Sequence, residues 1–142
     1  MADKSIIGTD LGTVTFPVER GKVREFANAI LDDNPAYQDP DSPAPLTFSM
    51  TRSFWPNEGG DMSKLNINFA MVVHGGQEFD YLGPVRVGDT LTGRTVVSDV
   101  YEKEGKRGGV MSFYVFETTF ANQEGRDVLK SRNVIIERGV PA

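Results

Sequence analysis

The sequence predicts an α+β fold, with one domain over residues 1–142 in which a single antiparallel sheet wraps around a central apolar helix. Three observations predict it. The second half of the chain reads as four extended segments separated by turn signals. A segment near the middle, opening at Pro45, is apolar on most sides. And 142 residues bury one substantial core but leave too little chain for a second independent domain.

Residues around Thr13 to Val18 read as a short strand. The next segment has helical period, with Val23, Phe26, Ala27 and Ile30 at i, i+3, i+4 and i+7 and with Arg20, Lys22, Arg24 and Glu25 on the opposite face. Such a helix lies on a core with its charged side in water, and it ends near Leu31. From Asp32 to Pro45 the chain is rich in Asp, Asn and Pro, which favours turns, and loops of this length are often functional. Proline is tolerated at the first helical position, so a helix starts at Pro45. Leu46, Phe48, Met50, Phe54 and Trp55 predict that the sheet encloses it. A surface loop follows over Pro56 to Met62.

The four extended segments run from Val72 to Tyr81, Thr90 to Glu102, Gly109 to Asn122 and Asp127 to Arg138. Residues 103–108 and 123–125 read as hairpin loops, which makes the four an antiparallel meander. Phe116, Thr118 and Phe120 point one way and Glu117 and Thr119 the other, as in a sheet with one face on a core.

Composition excludes several classes of function. The formal net charge of -5 argues against a surface that neutralises nucleic-acid phosphates. The absence of cysteine removes disulfides, thiolate metal sites and cysteine nucleophiles. Residues 1–8 carry no apolar run of signal-peptide type, and no stretch is long enough to span a bilayer, so a soluble cytoplasmic protein is expected.

Three stretches carry a family resemblance: Asp32-Asp33-Asn34-Pro35-Ala36-Tyr37; Ala44-Pro45-Leu46-Thr47-Phe48; and His74-Gly75-Gly76-Gln77-Glu78-Phe79 leading into Pro84-Val85-Arg86-Val87-Gly88-Asp89. With the order of elements, they resemble the hotdog fold and, within it, the MaoC-like acyl dehydratases and (R)-specific enoyl-CoA hydratases. The likeness covers nearly the whole chain. It is greatest to the N-terminal MaoC-type domain and to the substrate-binding subunits of heterodimeric 3-hydroxyacyl-thioester dehydratases, a branch that residues 101–109 also resemble.

In active hydratases of that family the loop reads Gly-Asp-x-Asn-Pro-x-His, and its Asp and His polarise a water for addition to an enoyl thioester. Here Asp32, Asn34 and Pro35 match, Leu31 stands in the glycine position and Tyr37 in the histidine position. Free tyrosine has a pKa of about 10 against about 6.5 for histidine, so Tyr37 is a poor proton acceptor at neutral pH. The segment from Gln38 to Pro43 is also shorter than in most members. The resemblance therefore implies a thioester of CoA or of acyl carrier protein as ligand, no metal and no cofactor. It also implies pairing, as a homodimer or with a second MaoC-like chain that brings an intact Asp and His.

Each candidate also has a plainer reading. Asp32 and Asp33 suit a polar helix terminus as well as catalysis, and Tyr37 suits a packing or hydrogen-bonding residue in a vacated catalytic place. His74, the only histidine, is either a spare base or a structural group at a strand entry. Backbone N–H groups at the helix start are placed to hold a thioester oxygen as charge develops; Pro45 has none, which leaves Leu46 and Thr47, with Phe48 as core. Gly75 and Gly76 allow either close approach of an acyl-pantetheine arm or a strand bulge. Lys103, Lys106 and Arg107 form a basic loop, either for a carrier phosphate or simply solvated.

Overall fold

The computed structural model describes residues 2–106 and 109–139; Arg107 of the basic loop lies outside them. Strand β1 (Asp10–Pro17) leads into helix α1 (Arg20–Ala29). A series of short 3-10 turns, including Pro35–Gln38 and Phe48–Phe54, carries the chain to β2 (Val72–Tyr81), β3 (Thr90–Glu104), β4 (Val110–Ala121) and β5 (Asp127–Arg138). All neighbours are antiparallel, in the order β1-β3-β4-β5-β2.

The four extended segments fall within two residues of their expected bounds, because alternation of period two and the glycine turns mark them locally. Their connection is different from a simple meander. β3, β4 and β5 are consecutive hairpins, but β2 pairs with β5, and the chain from Leu82 to Asp89 crosses back to reach β3. Several backbone contacts tie that crossing down, among them Ala44 N–H donating to the Val85 carbonyl at 2.9 Å and Gly88 N–H to that of Val18 at 3.0 Å. The outer edges of β1 and β2 have no partner strand among the described residues.

One face of the sheet carries the core. Phe16, Leu91, Phe120 and Leu129 are fully buried there and are covered by Val23 and Ala27 of α1 and by Phe48. Phe16 meets Phe120 edge-on at 6.0 Å, and Phe26 meets Phe48 at 5.7 Å. Burying each such ring contributes about 2–3 kcal/mol, so this cluster anchors α1 to the sheet. Gly93 lies opposite Phe120 in the β3–β4 register, where a Cβ would stand 2.5 Å from the ring, so only glycine admits it. A second cluster, around Val97, Val100, Tyr114 and Phe116, fills the other end.

The segment opened by Pro45 departs from the expected enclosed helix. It is a seven-residue 3-10 turn with Thr47 at its N-cap, and only Phe48, Ser49 and Thr51 are buried. Leu46, Met50, Phe54 and Trp55 are exposed. Residues three apart eclipse one another in a 3-10 turn, so Phe48 and Thr51 form one inward row and Ser49 and Arg52 a second, while Leu46, Met50, Phe54 and Trp55 face outward.

Candidate functional site

Helix α1 delivers the aspartate loop through a Schellman turn. Leu31 N–H donates to the Asn28 carbonyl at 3.2 Å and Asp32 N–H to that of Ala27 at 2.9 Å. The motif requires a left-handed residue between helix and loop, and Leu31 fills it with φ of 58° and a side chain 90% exposed. Glycine is the residue that takes this conformation freely, which explains the glycine of the resembling pattern; leucine pays about 1 kcal/mol for it. Asp32 is thereby fixed to the buried part of α1.

Both carboxylate oxygens of Asp32 are engaged. Oδ1 accepts from Asn34 N–H at 3.1 Å, and Oδ2 accepts from the Tyr37 hydroxyl at 3.1 Å. Asn34 caps the next turn, its Oδ1 accepting from Ala36 N–H at 3.0 Å. Tyr37 is buried in the core cluster with Phe48 and Val85. Burial pushes its phenol above the usual value, and the hydrogen bond and charge of Asp32 push the same way. At neutral pH Tyr37 therefore keeps its proton and, as a hydrogen-bond donor, orients Asp32.

The start of the Pro45 segment lies beside this pair. Tyr81, at the end of β2, donates its hydroxyl to the Leu46 carbonyl at 2.6 Å. Its phenol is pushed up to about 12, mainly by burial and then by the neighbouring Tyr37. The N–H groups of Leu46 and Thr47 make no hydrogen bond among the described residues and are in exposed positions. Phe48 is core, 1% exposed. One end of the sheet thus collects Asp32, Asn34, Tyr37, Leu46 and Thr47. These groups offer a carboxylate, a phenol that keeps its proton, and two adjacent unclaimed donors.

His74, Gly75 and Gly76 stand elsewhere. They open β2, and His74 is seven residues from Tyr81, about 23 Å along an extended strand. The glycines form a bulge against β5, where a Cβ on Gly75 would lie 2.6 Å from Ile136 Cδ1. Within one chain His74 does not reach Asp32.

A polar band across the middle of the inner face escaped the sequence reading. Arg52 Nη1 donates to Thr118 Oγ1 at 2.5 Å and to Thr95 Oγ1 at 3.2 Å, the two hydroxyls being 2.7 Å apart. Gln77 donates to Ser131 at 2.6 Å in the adjoining strands. The signal was there in part: Thr118 alternates in phase with Phe116 and Phe120, and Arg52 interrupts an apolar run.

The chain resembles known proteins over nearly all of this architecture. A family model described as the FAS1-like, dehydratase domain region matches residues 5–131. A UPF0336 protein of Thermobifida fusca is 34% identical over 137 residues, covering 87% of this chain and 85% of its own. The truncated HadBC (3R-hydroxyacyl-ACP dehydratase) complex of Mycobacterium tuberculosis superposes with a TM-score of 0.69 at 23% identity, covering 92% of this chain and 96% of that one. The MaoC-like dehydratase of Rhodospirillum rubrum superposes with a TM-score of 0.64 at 18% identity, covering 96% and 94%. By the family match over residues 5–131, this protein belongs to the FAS1-like dehydratase-region family, and it shares the hotdog fold of the MaoC-like dehydratases.

Proposed function

We propose that this chain is the pocket-shaping subunit of a hydro-lyase acting on 3-hydroxyacyl or trans-2-enoyl thioesters of CoA or acyl carrier protein. A second MaoC-like chain brings the intact Asp and His. The observation that carries the reading is the Tyr37 hydroxyl on Asp32 Oδ2: the group beside the carboxylate donates a hydrogen bond and keeps its proton, so the pair has one proton-transferring group where an Asp and His pair has two. Losing one general acid or base typically costs about two to four orders of magnitude in rate. Leu46 and Thr47 keep the donors that a thioester oxygen needs, so the chain retains the means to hold a ligand. The unpaired edge of β2 offers a strand to a partner sheet.

The test is hydration of crotonyl-CoA by the isolated chain and by its mixture with a MaoC-like chain carrying both residues. Activity only in the mixture supports the reading, and strong activity of the isolated chain overturns it.

A self-sufficient homodimer built on Asp32 is the second reading, and the same edge favours it. Antiparallel pairing of two copies centred near the middle of β2 carries the His74 of one toward the Tyr81 end of the other. Asp32→Asn and His74→Ala variants with unchanged hydration rates dispose of it. A module that binds thioesters without chemistry is the third reading, and acyl-CoAs of several chain lengths that fail to raise the melting temperature count against it.

A further inference from the structure

Between the two core clusters lies a cavity of about 430 Å³, within the range of about 300–1,000 Å³ typical of small-molecule sites. Its walls are mainly apolar, and Trp55, Met62 and Phe69 at its edge are 38%, 37% and 52% exposed. Arg52 projects into it as a cation without a counter-charge: among the described residues no carboxylate lies within 4.0 Å of the guanidinium. Two threonine hydroxyls and the face of Phe120, 5.8 Å away, are its neighbours.

Only Nη1 of the guanidinium is used; Nε and Nη2 make no hydrogen bond among the described residues. A guanidinium offers five N–H donors in a planar fork that matches a carboxylate. The Asn133 side chain, which also lines the cavity, makes no hydrogen bond among the described residues, and its Oδ1 is buried. With neither end of that amide engaged, rotating it presents an NH2 group to the cavity at no loss. Burial also draws the Arg52 guanidinium below its usual value, the effect expected of a charge lacking a partner.

We propose that this cavity binds a small organic carboxylate with an apolar body, the carboxylate lying against Nε and Nη2 of Arg52 and the body between Trp55, Met62 and Phe69. A neutral ligand of the same shape leaves the guanidinium uncompensated, and inorganic anions leave the apolar wall unused. The site is independent of the thioester chemistry proposed above, so either result of the crotonyl-CoA assay leaves it standing.

The experiment is calorimetric titration of the full chain with octanoate and, in parallel, with 1-octanol. Octanoate is expected to bind at least about tenfold more tightly than octanol, a difference of about 1.4 kcal/mol. Arg52→Met is expected to abolish that preference while leaving octanol binding unchanged. Val72→Phe, which fills the cavity with Arg52 intact, is expected to lose both ligands and serves if the arginine variant does not fold. Equal binding of the two ligands, no binding of either, or octanoate binding that survives both variants overturns the proposal. So does sedimentation showing self-association that Arg52→Met abolishes without any octanoate binding, since the guanidinium then belongs to a partner's carboxylate.

Discussion

Arg132 and Arg52 sit on opposite faces of one sheet and are treated in opposite ways. On the outer face Arg132 is held by three carboxylates, with Glu117 at 3.1 Å, Glu78 at 2.9 Å and Asp80 at 2.7 Å, and these partners raise its proton affinity further. The register β4-β5-β2 sets Glu117, Arg132 and Glu78 in one row, so the sheet itself assembles the network. On the inner face Arg52 meets only hydroxyls and a ring. Water screens the outer charges and makes their pairing cheap and weakly stabilising; inside, a charge without a counter-ion is costly. What the contrast teaches is that the outer arginine is explained by the fold alone, whereas the inner one is not.

Single substitutions test that contrast. The largest effect is expected from Thr118→Val, which removes the buried hydroxyl that Arg52 uses at 2.5 Å. It should lower unfolding stability in urea by about 2 kcal/mol, whereas Thr119→Val on the outer face should change it by less than about 0.5 kcal/mol. Next is Leu31→Gly, at another place where the chain departs from its easiest choice. Relief of the left-handed leucine should raise stability by about 1 kcal/mol with the Asp32 loop unchanged.

Smaller again is Arg132→Met, expected to cost about 0.5–1 kcal/mol in dilute buffer and to lose most of that cost in 1 M salt. Arg52→Met should respond little to salt, because its charge has no partner to screen. The finest test is alkaline. Tyr81 holds its proton to about 12 in the folded chain against 10 when unfolded, so its contribution is fully present below pH 10 and is lost as pH rises through about 12. Tyr37 shifts the same way. Tyr81→Phe should therefore flatten the fall in stability between pH 10 and 12, measured by urea titration at each pH.

Much of the fold was legible along the chain, and for local reasons. Alternation on β4 put Phe116, Thr118 and Phe120 on the core face, and glycines marked the turns. The period of α1 foretold that Val23 and Ala27 would be buried. The candidate site was legible only in part. Asp32, Asn34 and Tyr37 are local in sequence and local in space, and the N–H groups of Leu46 and Thr47, unpaired among the described residues, precede the turn that begins after Pro45. His74 stood as a further candidate because its distance from Asp32 depends on which end of β2 lies beside the aspartate loop, and only tertiary contacts fix that.

Along the chain alone, the class of fold, the number of strands, the buried face of β4 and the aspartate loop were determined, all of which rest on interactions between near neighbours. Tertiary structure alone decided that β2 pairs with β5, that the segment after Pro45 tightens into a 3-10 turn exposing most of its apolar side chains, and that Tyr37 gives its hydroxyl to Asp32. It also decided that Arg52 stands uncompensated beside a cavity. These depend on which distant surfaces meet and what they leave unfilled, quantities that no local pattern of residues encodes.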